Sequence, residues 1–300
     1  MAQPDPAKLL ELKTLLARHV PAEGPLETSL GGVYVYKTSH PHTRQPERYD
    51  AGVVIMASGK KRCYINNKLY NYNAGDYLAV FLPMPVEVEV VEASPEDPLL
   101  LVGLKLDLRR LAELLLQLDR LEAPSTHAQD NTSSTSGIFA APLPNDLLDA
   151  SIRLLKTLDN PADQAVLSQN IITEIYYRLL VDNNTRELSH LLAQRGQIQQ
   201  IARAVDHINQ HLDEPVVIAT LAAAANMSTS HFHKCFKDVM HMSPLQYAKS
   251  MKLFKAQSLI QAGAQVSQAG YAVGYNSAAQ FSREYKRHFG MAPSVKVAAS

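Results

Sequence analysis

The chain has 300 residues, more than one ordinary domain and enough for two. Its 29 Lys and Arg balance 29 Asp and Glu, and 46% of the residues are hydrophobic, which excludes a disordered polyelectrolyte and allows packed cores. There is no apolar run long enough to span a bilayer, and residues 1–5 carry Pro and acid rather than a basic, apolar leader, so a soluble cytoplasmic protein is expected. Two cysteines fit a reducing compartment.

The N-terminal half opens on a predicted helix over residues 6–19. Short strand-like runs follow at 33–36, 52–57, 61–65, 68–71, 76–82, 86–92 and 99–106, separated by turn residues. Asn66-Asn67 suits a two-residue hairpin turn, and Tyr72-Asn73-Ala74-Gly75-Asp76 a turn entering a strand. Many short strands at close spacing predict a small β-barrel or sandwich. Residues 107–120 read as an amphipathic helix with Leu at 108, 111, 114, 115, 116 and 118. A Ser/Thr-rich loop over 122–136 and helices over 145–158 and 162–181 come next; Ile171, Ile172, Ile175, Tyr176 and Leu179 form a wide apolar face. Residues 183–197 read as a linker that can also dock, polar at Asp182-Asn183-Asn184-Thr185 and then apolar at Leu188, Leu191 and Leu192. The expected class is α+β, with a β-rich domain with trailing helices over 1–182 and an all-α domain over 198–300.

The second domain contains an internal repeat. His231-Phe232-His233-Lys234-Cys235-Phe236-Lys237 leads to Met242-Ser243-Pro244, and Gln280-Phe281-Ser282-Arg283-Glu284-Tyr285-Lys286 leads to Met291-Ala292-Pro293, an offset of 49 residues. Each copy follows a short Ala-containing helical segment and a turn. Asn226 and Gly274 are the residues that tolerate a left-handed backbone, and Ser228 and Asn276 or Ser277 are good N-caps. Phe232, Cys235 and Phe236 form one apolar stripe, Phe281 and Tyr285 the other. The unit is helix, tight turn, helix, predicted over about 218–239 and 265–289. Between the copies a helix from Pro244 to about residue 262 has no breaker. At ~1.5 Å per residue it spans roughly 27 Å, a connector that suits two units docking on one side of a duplex.

Net charge hides an asymmetry. From Gly196 onward ten basic side chains face five acidic ones, a surplus of five, and residues 1–195 carry the matching deficit. Six of the eleven histidines also lie in this basic third, His231 and His233 on or beside the first recognition helix. This is the electrostatic footprint of a domain that meets phosphate.

At this point the sequence resembles a known family. Ser243-Pro244-Leu245-Gln246-Tyr247, Lys252-Leu253 with Ala256, Ala272 with Gly274-Tyr275, and Gln280-Phe281-Ser282-Arg283 with Tyr285-Lys286, Phe289-Gly290 and Pro293 resemble the DNA-binding domain of AraC/XylS-type transcription regulators over about one hundred residues. It departs from the pattern at Lys252, at Ser294-Val295-Lys296 and at Ala278-Ala279. Residues 57–62, 72–78 and 90–96 resemble the cupin-like N-terminal domain of one branch of that family. The resemblance implies a regulator, an activator by expectation, that binds double-stranded DNA as a homodimer, contacts RNA polymerase and answers to a small-molecule effector. It implies Ser230, His233, Lys234, Gln280, Ser282 and Arg283 as base readers, with Lys237 and Lys286 on phosphate. Tyr34, Tyr36, Tyr49 and Met56 are candidate pocket lining, with Arg44 or Arg48 to pair an anion.

Other functions find little support. A cupin metal site needs about three His and a carboxylate. Only His40 and His42 lie early, no His occurs from Thr43 to Thr126, and Phe81-Leu82-Pro83-Met84-Pro85 stands where a second ligand strand would fall. No metal, cofactor or catalytic constellation is expected. A ligand-independent DNA-binding regulator is the main alternative, and a cupin-type enzyme a remote one. Cys63, in a predicted strand, is the one candidate redox or electrophile sensor.

Overall fold

The computed structural model describes residues 3–121, 136–181 and 195–295. The predicted loop at 122–136 lies outside them except for Ser136, and the predicted linker except for its last residues, which already belong to a helix.

The N-terminal domain is three layers. Helix α1 (Pro6–His19) is started by the Asp5 side chain, which accepts from the Ala7 N–H, and by Pro6 in its first turn. Ten strands follow: β1 (Gly24–Glu27), β2 (Val33–Thr38), β3 (His42–Tyr49), β4 (Gly52–Ser58), β5 (Lys60–Ile65), β6 (Lys68–Asn73), β7 (Asp76–Val80), β8 (Met84–Glu92), β9 (Leu99–Lys105) and β10 (Ile138–Pro142). They form a six-stranded sheet ordered β1-β2-β9-β4-β7-β10 and a four-stranded sheet ordered β3-β8-β5-β6, antiparallel throughout.

The resemblance implies a closed barrel; the structure corrects that to two open, facing sheets. The corner between β4 and β5 shows why. Both strands are irregular there, at Met56/Ser58 and Lys60/Lys61. Gly59 has φ +84°, and a Cβ on it would stand 2.7 Å from Leu99 Cβ and 2.8 Å from the Glu92 carbonyl oxygen. Only glycine fits, and the chain steps from one sheet to the other instead of continuing the ladder. At the other turns the predictions hold. Ile65 pairs with Lys68 across Asn66-Asn67, with Asn66 at φ 52°. The Asp76 carboxylate accepts from the Asn73 N–H beside Gly75 at φ +84°.

One face of the six-stranded sheet packs under α1, α2 (Leu108–Leu121), α3 (Asn145–Thr157) and α4 (Pro161–Val181); the other faces the second sheet. Strands β4 and β9 are therefore buried on both faces and read as unbroken apolar runs. The apolar face predicted on α4 is spent on this core, since Ile171, Ile172, Ile175, Tyr176 and Leu179 are all buried. Val166, Leu167, Tyr177 and Val181 are its exposed apolar residues.

Cys63 lies between the sheets with no exposure, and burial pushes its thiol up to about 12. A thiol that stays protonated and covered is a poor nucleophile. The native chain should therefore resist iodoacetamide at Cys63 and react there only after denaturation; labelling of the native fold at the rate of a free thiol would refute this.

Among the described residues six helices form the C-terminal domain: α5 (Arg195–Gln210), α6 (Ile218–Ala224), α7 (Thr229–Met240), α8 (Pro244–Gln261), α9 (Val266–Ala272) and α10 (Ala278–Phe289). They build two cores. The first unit, α6–α7, shares one apolar cluster with α5, the start of α8 and the space between the sheets. The second, α9–α10, has a separate nine-residue core on the end of α8.

Candidate nucleic-acid interface

Each recognition helix is placed by the local chemistry that the repeat predicts. Asn226 takes φ 52° and Gly274 φ +81° at the two turns. A Cβ on Gly274 would lie 2.1 Å from the Asp213 carbonyl oxygen, so this close approach requires glycine. Ser228 caps α7 through the His231 N–H, and Ser277 caps α10 through the Gln280 N–H. Ser243 and Gln246 form a reciprocal capping box at the start of α8, with Pro244 in the first turn. Phe232, Cys235 and Phe236 are buried on one side of α7, and Phe281, Tyr285 and Phe289 on one side of α10.

The opposite sides are open. Ser230, His233, Lys234 and Lys237 are exposed on α7, and Gln280, Arg283 and Lys286 on α10, with Ser282 half-buried. Charge pairing separates these helices from the rest of the molecule. Cations of the N-terminal domain are largely neutralised: Lys8 by Asp149, Lys13 by Asp97, Arg18 by Asp159, Lys60 by Glu92, Lys105 by Glu27, Lys156 by Glu11 and Arg178 by Asp146. Lys234, Lys237, Arg283 and Lys286 have no acidic partner among the described residues. An unpaired basic face beside helix N-termini is electrostatically suited to phosphate.

The two domains are fastened through the first unit. His241 caps α7 in the left-handed conformation. Its Nε2 lies 2.7 Å from Ser136 Oγ and 3.2 Å from the Tyr70 hydroxyl, and its carbonyl accepts from the Asn66 amide on the β5–β6 turn. Gly137 N–H donates to the Val239 carbonyl at 2.9 Å, and the buried Tyr247 hydroxyl donates to the Pro83 carbonyl at 3.0 Å. These residues were invisible as an interface in the sequence. Asn66 reads as a turn and Tyr247 as part of a motif; their shared role arises only when segments more than one hundred residues apart meet.

Burial, aided by nearby Lys68, lowers His241 from its ordinary 6.5 to about 4. Between these values the unfolded chain holds more protons than the docked one, so docking weakens as pH falls from about 6.5 towards 4 and is at full strength above 6.5. His241→Asn keeps a residue that tolerates the cap conformation. It should flatten the dependence of Tm on pH across that window; an unchanged slope would show that His241 does not govern it.

The effector candidates divide. Tyr34, Tyr36, Tyr49 and Met56 all belong to the apolar packing between the sheets. Buried Lys61 sits among them, its Nζ 5.2 Å from the Tyr36 ring centre, 5.6 Å from that of Tyr49 and 3.7 Å from Glu47. Tyr34 lies across Gly103, where a Cβ would be 2.0 Å from the ring. The arginines are placed elsewhere: Arg44 pairs with Glu87 and stacks on Tyr64 on the outer face of β5, and Arg48 pairs with Asp50. Lys61 is the cation the sequence reading missed, because inward placement depends on the register of β5. Among the described residues no three His, Cys, Asp or Glu side chains form a metal-ligating group, and no helix is long and apolar enough to cross a membrane.

Residues 29–187, more than half of the chain, match the family described as AraC-type transcriptional regulator N-terminus. The chain belongs to the AraC-type transcriptional regulators. As in that family's name, a regulator's N-terminal domain precedes a DNA-binding module: residues 221–297 match a helix-turn-helix domain. Among curated relatives of this AraC-type chain, the probable transcriptional regulator LumQ of Photobacterium leiognathi is 29% identical over 48% of the chain and 56% of that protein. The lactose operon transcription activator of Staphylococcus xylosus is 30% identical over 32% of the chain and 35% of that protein. The chain thus spans about half or less of the length of these relatives. In fold it is similar to ToxT of Vibrio cholerae, solved with an unsaturated fatty acid bound (TM-score 0.56, 13% identity, 87% of this chain and 92% of that one). A ligand-free ToxT structure aligns over 89% of this chain and 97% of that one, with TM-score 0.55 and 11% identity.

Proposed function

We propose that this AraC-type chain is a sequence-specific DNA-binding transcription regulator, an activator that works in the cytoplasm as a homodimer, contacts RNA polymerase and is controlled by a small-molecule effector. The observation that carries the reading is the pair of matched recognition helices, each with a buried aromatic stripe and an exposed, unpaired basic face. Activation is supported by the Staphylococcus xylosus relative, whose name is that of an activator. Effector control is supported by ToxT, of like fold, which was solved holding a fatty acid. In this chain the space between the sheets, lined by Tyr34, Tyr36, Tyr49 and Met56 around Lys61, is the first place to test for an effector. Dimerisation is assigned to the α2–α4 side, where α4 keeps exposed apolar residues.

Base readers and phosphate contacts are separable by salt and sequence. Arg283→Ala should cost about 1–3 kcal/mol on a cognate site and much less on random DNA, because a guanidinium reads guanine edges. Lys286→Ala and Lys237→Ala should weaken both kinds of DNA alike and make the salt dependence shallower. Fluorescence anisotropy over a salt series measures each outcome. If Arg283→Ala lowers both affinities equally, Arg283 is a phosphate contact; if the full chain binds no duplex selectively, the reading fails.

A further inference from the structure

Helix α8 passes from one core into the other within three residues. Met251 belongs to the cluster that holds the first unit to the sheets, while Leu253 and Phe254 open the nine-residue core of the second unit. Lys252 stands between them, half-buried. Two bodies with separate cores move relative to one another unless an interface braces them. Whatever braces the chain at Lys252 therefore sets how α7 and α10 face one another.

The brace comes from the loop over 211–217, between α5 and α6. Leu212 and Val216 pack this loop against the first core, and its Glu214 N–H donates to the His211 carbonyl at 3.2 Å. Its middle reaches the second unit. Lys252 Nζ donates to the Glu214 carbonyl at 3.1 Å. Gly274, the left-handed residue of the α9–α10 turn, lies against the same place: a Cβ on it would stand 2.1 Å from the Asp213 carbonyl oxygen and 3.1 Å from Lys252 Nζ. Three segments from the two units thus converge on one ammonium group. Burial lowers that ammonium from its ordinary value, and neighbouring Asp213 opposes the shift. A charge turned into such a joint and bonded to a carbonyl is engaged by protein rather than by phosphate. One turn earlier Lys249 pairs with Glu284 of α10 at 3.0 Å, so two lysines of α8 hold the loop and the recognition helix in turn.

We propose that Lys252 is a positioning residue: it pins the α5–α6 loop of the first unit to the α9–α10 turn of the second, and so makes the chain selective for one spacing between the two blocks of bases it reads. Lys252 touches no base in this role. It acts through the rotation and separation that it imposes on α7 and α10. The joint itself stands on the contacts around Lys252; only its consequence for spacing rests on the reading that both recognition helices meet one duplex.

Two measurements on the full chain test this. Nitroxide labels on Ala223→Cys and Gln268→Cys, at exposed positions of α6 and α9, report the separation of the units without DNA, since Cys63 and Cys235 are both buried. Pulsed electron resonance should give one narrow distance in the parent. In Lys252→Met, which keeps helix propensity and most of the stem, the distribution should broaden or shift. Lys255→Met, on the exposed side of α8, controls for lost charge and should leave it narrow. The second measurement uses a duplex selected by the parent from a randomised pool, with versions carrying one base pair more or fewer between the two protected blocks. One base pair turns the second block by about 34°. On these altered spacings the parent should lose more affinity than Lys252→Met does, by a factor on the order of ten, as one hydrogen bond to a charged group allows. An unchanged distance distribution in Lys252→Met, or equal spacing penalties in variant and parent, would overturn the proposal. So would a uniform loss on all duplexes with a shallower salt dependence, which makes Lys252 a phosphate contact. A parent that selects no duplex sinks the regulatory reading, and the resonance measurement alone then decides whether Lys252 fixes the units.

Discussion

Phe281→Ala is expected to unfold the second helix-turn-helix unit and leave the first intact. Phe281 has no exposure and stands at the centre of a core of nine residues. Its ring meets Tyr275 and Tyr285 edge-on at 5.4 and 5.6 Å and rests on Gly270, where even a Cβ would come within 2.9 Å. Truncating a buried phenylalanine costs about 3–5 kcal/mol through lost burial and the cavity left behind. A core this small has little reserve, and it is separate from the cluster that holds the first unit to the sheets. The variant should show loss of helix by circular dichroism, loss of protection in α9 and α10 by hydrogen exchange, and a footprint shortened to the part of the site bound by α7. A full-length footprint with unchanged exchange in α10 would mean that the second core is supported from elsewhere. Gly270→Val should reproduce the defect by displacing the same ring.

Breaking the interdomain fastening should release the C-terminal domain without unfolding it. Tyr247→Phe leaves the half-buried Pro83 carbonyl unpaired and removes the acceptor of the Asn209 amide at 3.2 Å. Ser136→Ala removes the hydroxyl that links His241 to the Ile138 carbonyl. Each buried group left unsatisfied costs about 1–3 kcal/mol, and because the two sites share one interface their effects are not expected to add simply. In the double variant the Gly137 amide, which donates to Val239, should lose exchange protection while Phe232 and Phe236 stay packed. A linker that docks through Leu188, Leu191 and Leu192, which lie outside the described residues, offers one route for coupling between the domains. The direct interface supplies a second route. If the double variant binds DNA as the parent does and answers an identified effector identically, the interface is passive and the linker carries the signal.

The helices and turns of the C-terminal domain were legible because their signals are local. Left-handed turns need Asn226 or Gly274, caps need a short oxygen at Ser228, Ser243 and Ser277, and the aromatic stripes recur at helical spacing. A repeat then makes each unit evidence for the other. The strands were readable where a buried face imposed a pattern, and three were missed for physical reasons. β1 is four residues with Pro25 on a sheet edge. β3 is polar, largely exposed and interrupted by Pro46, so its pattern matches a loop. β10 reads as a tail to the Ser/Thr-rich stretch and becomes a strand only by pairing with β7, some sixty residues earlier.

The sequence by itself determined two helix-turn-helix units, a basic reading face and a β-rich partner domain, all through interactions within a few residues or through composition. The tertiary structure decided that the sheets stay open at the Gly59 corner, and that Arg44 and Arg48 turn away from the tyrosines while Lys61 turns in. Each of these depends on which distant carbonyl, ring or carboxylate arrives beside a given side chain, and that meeting is set by strand register and domain packing rather than by any neighbour in the chain.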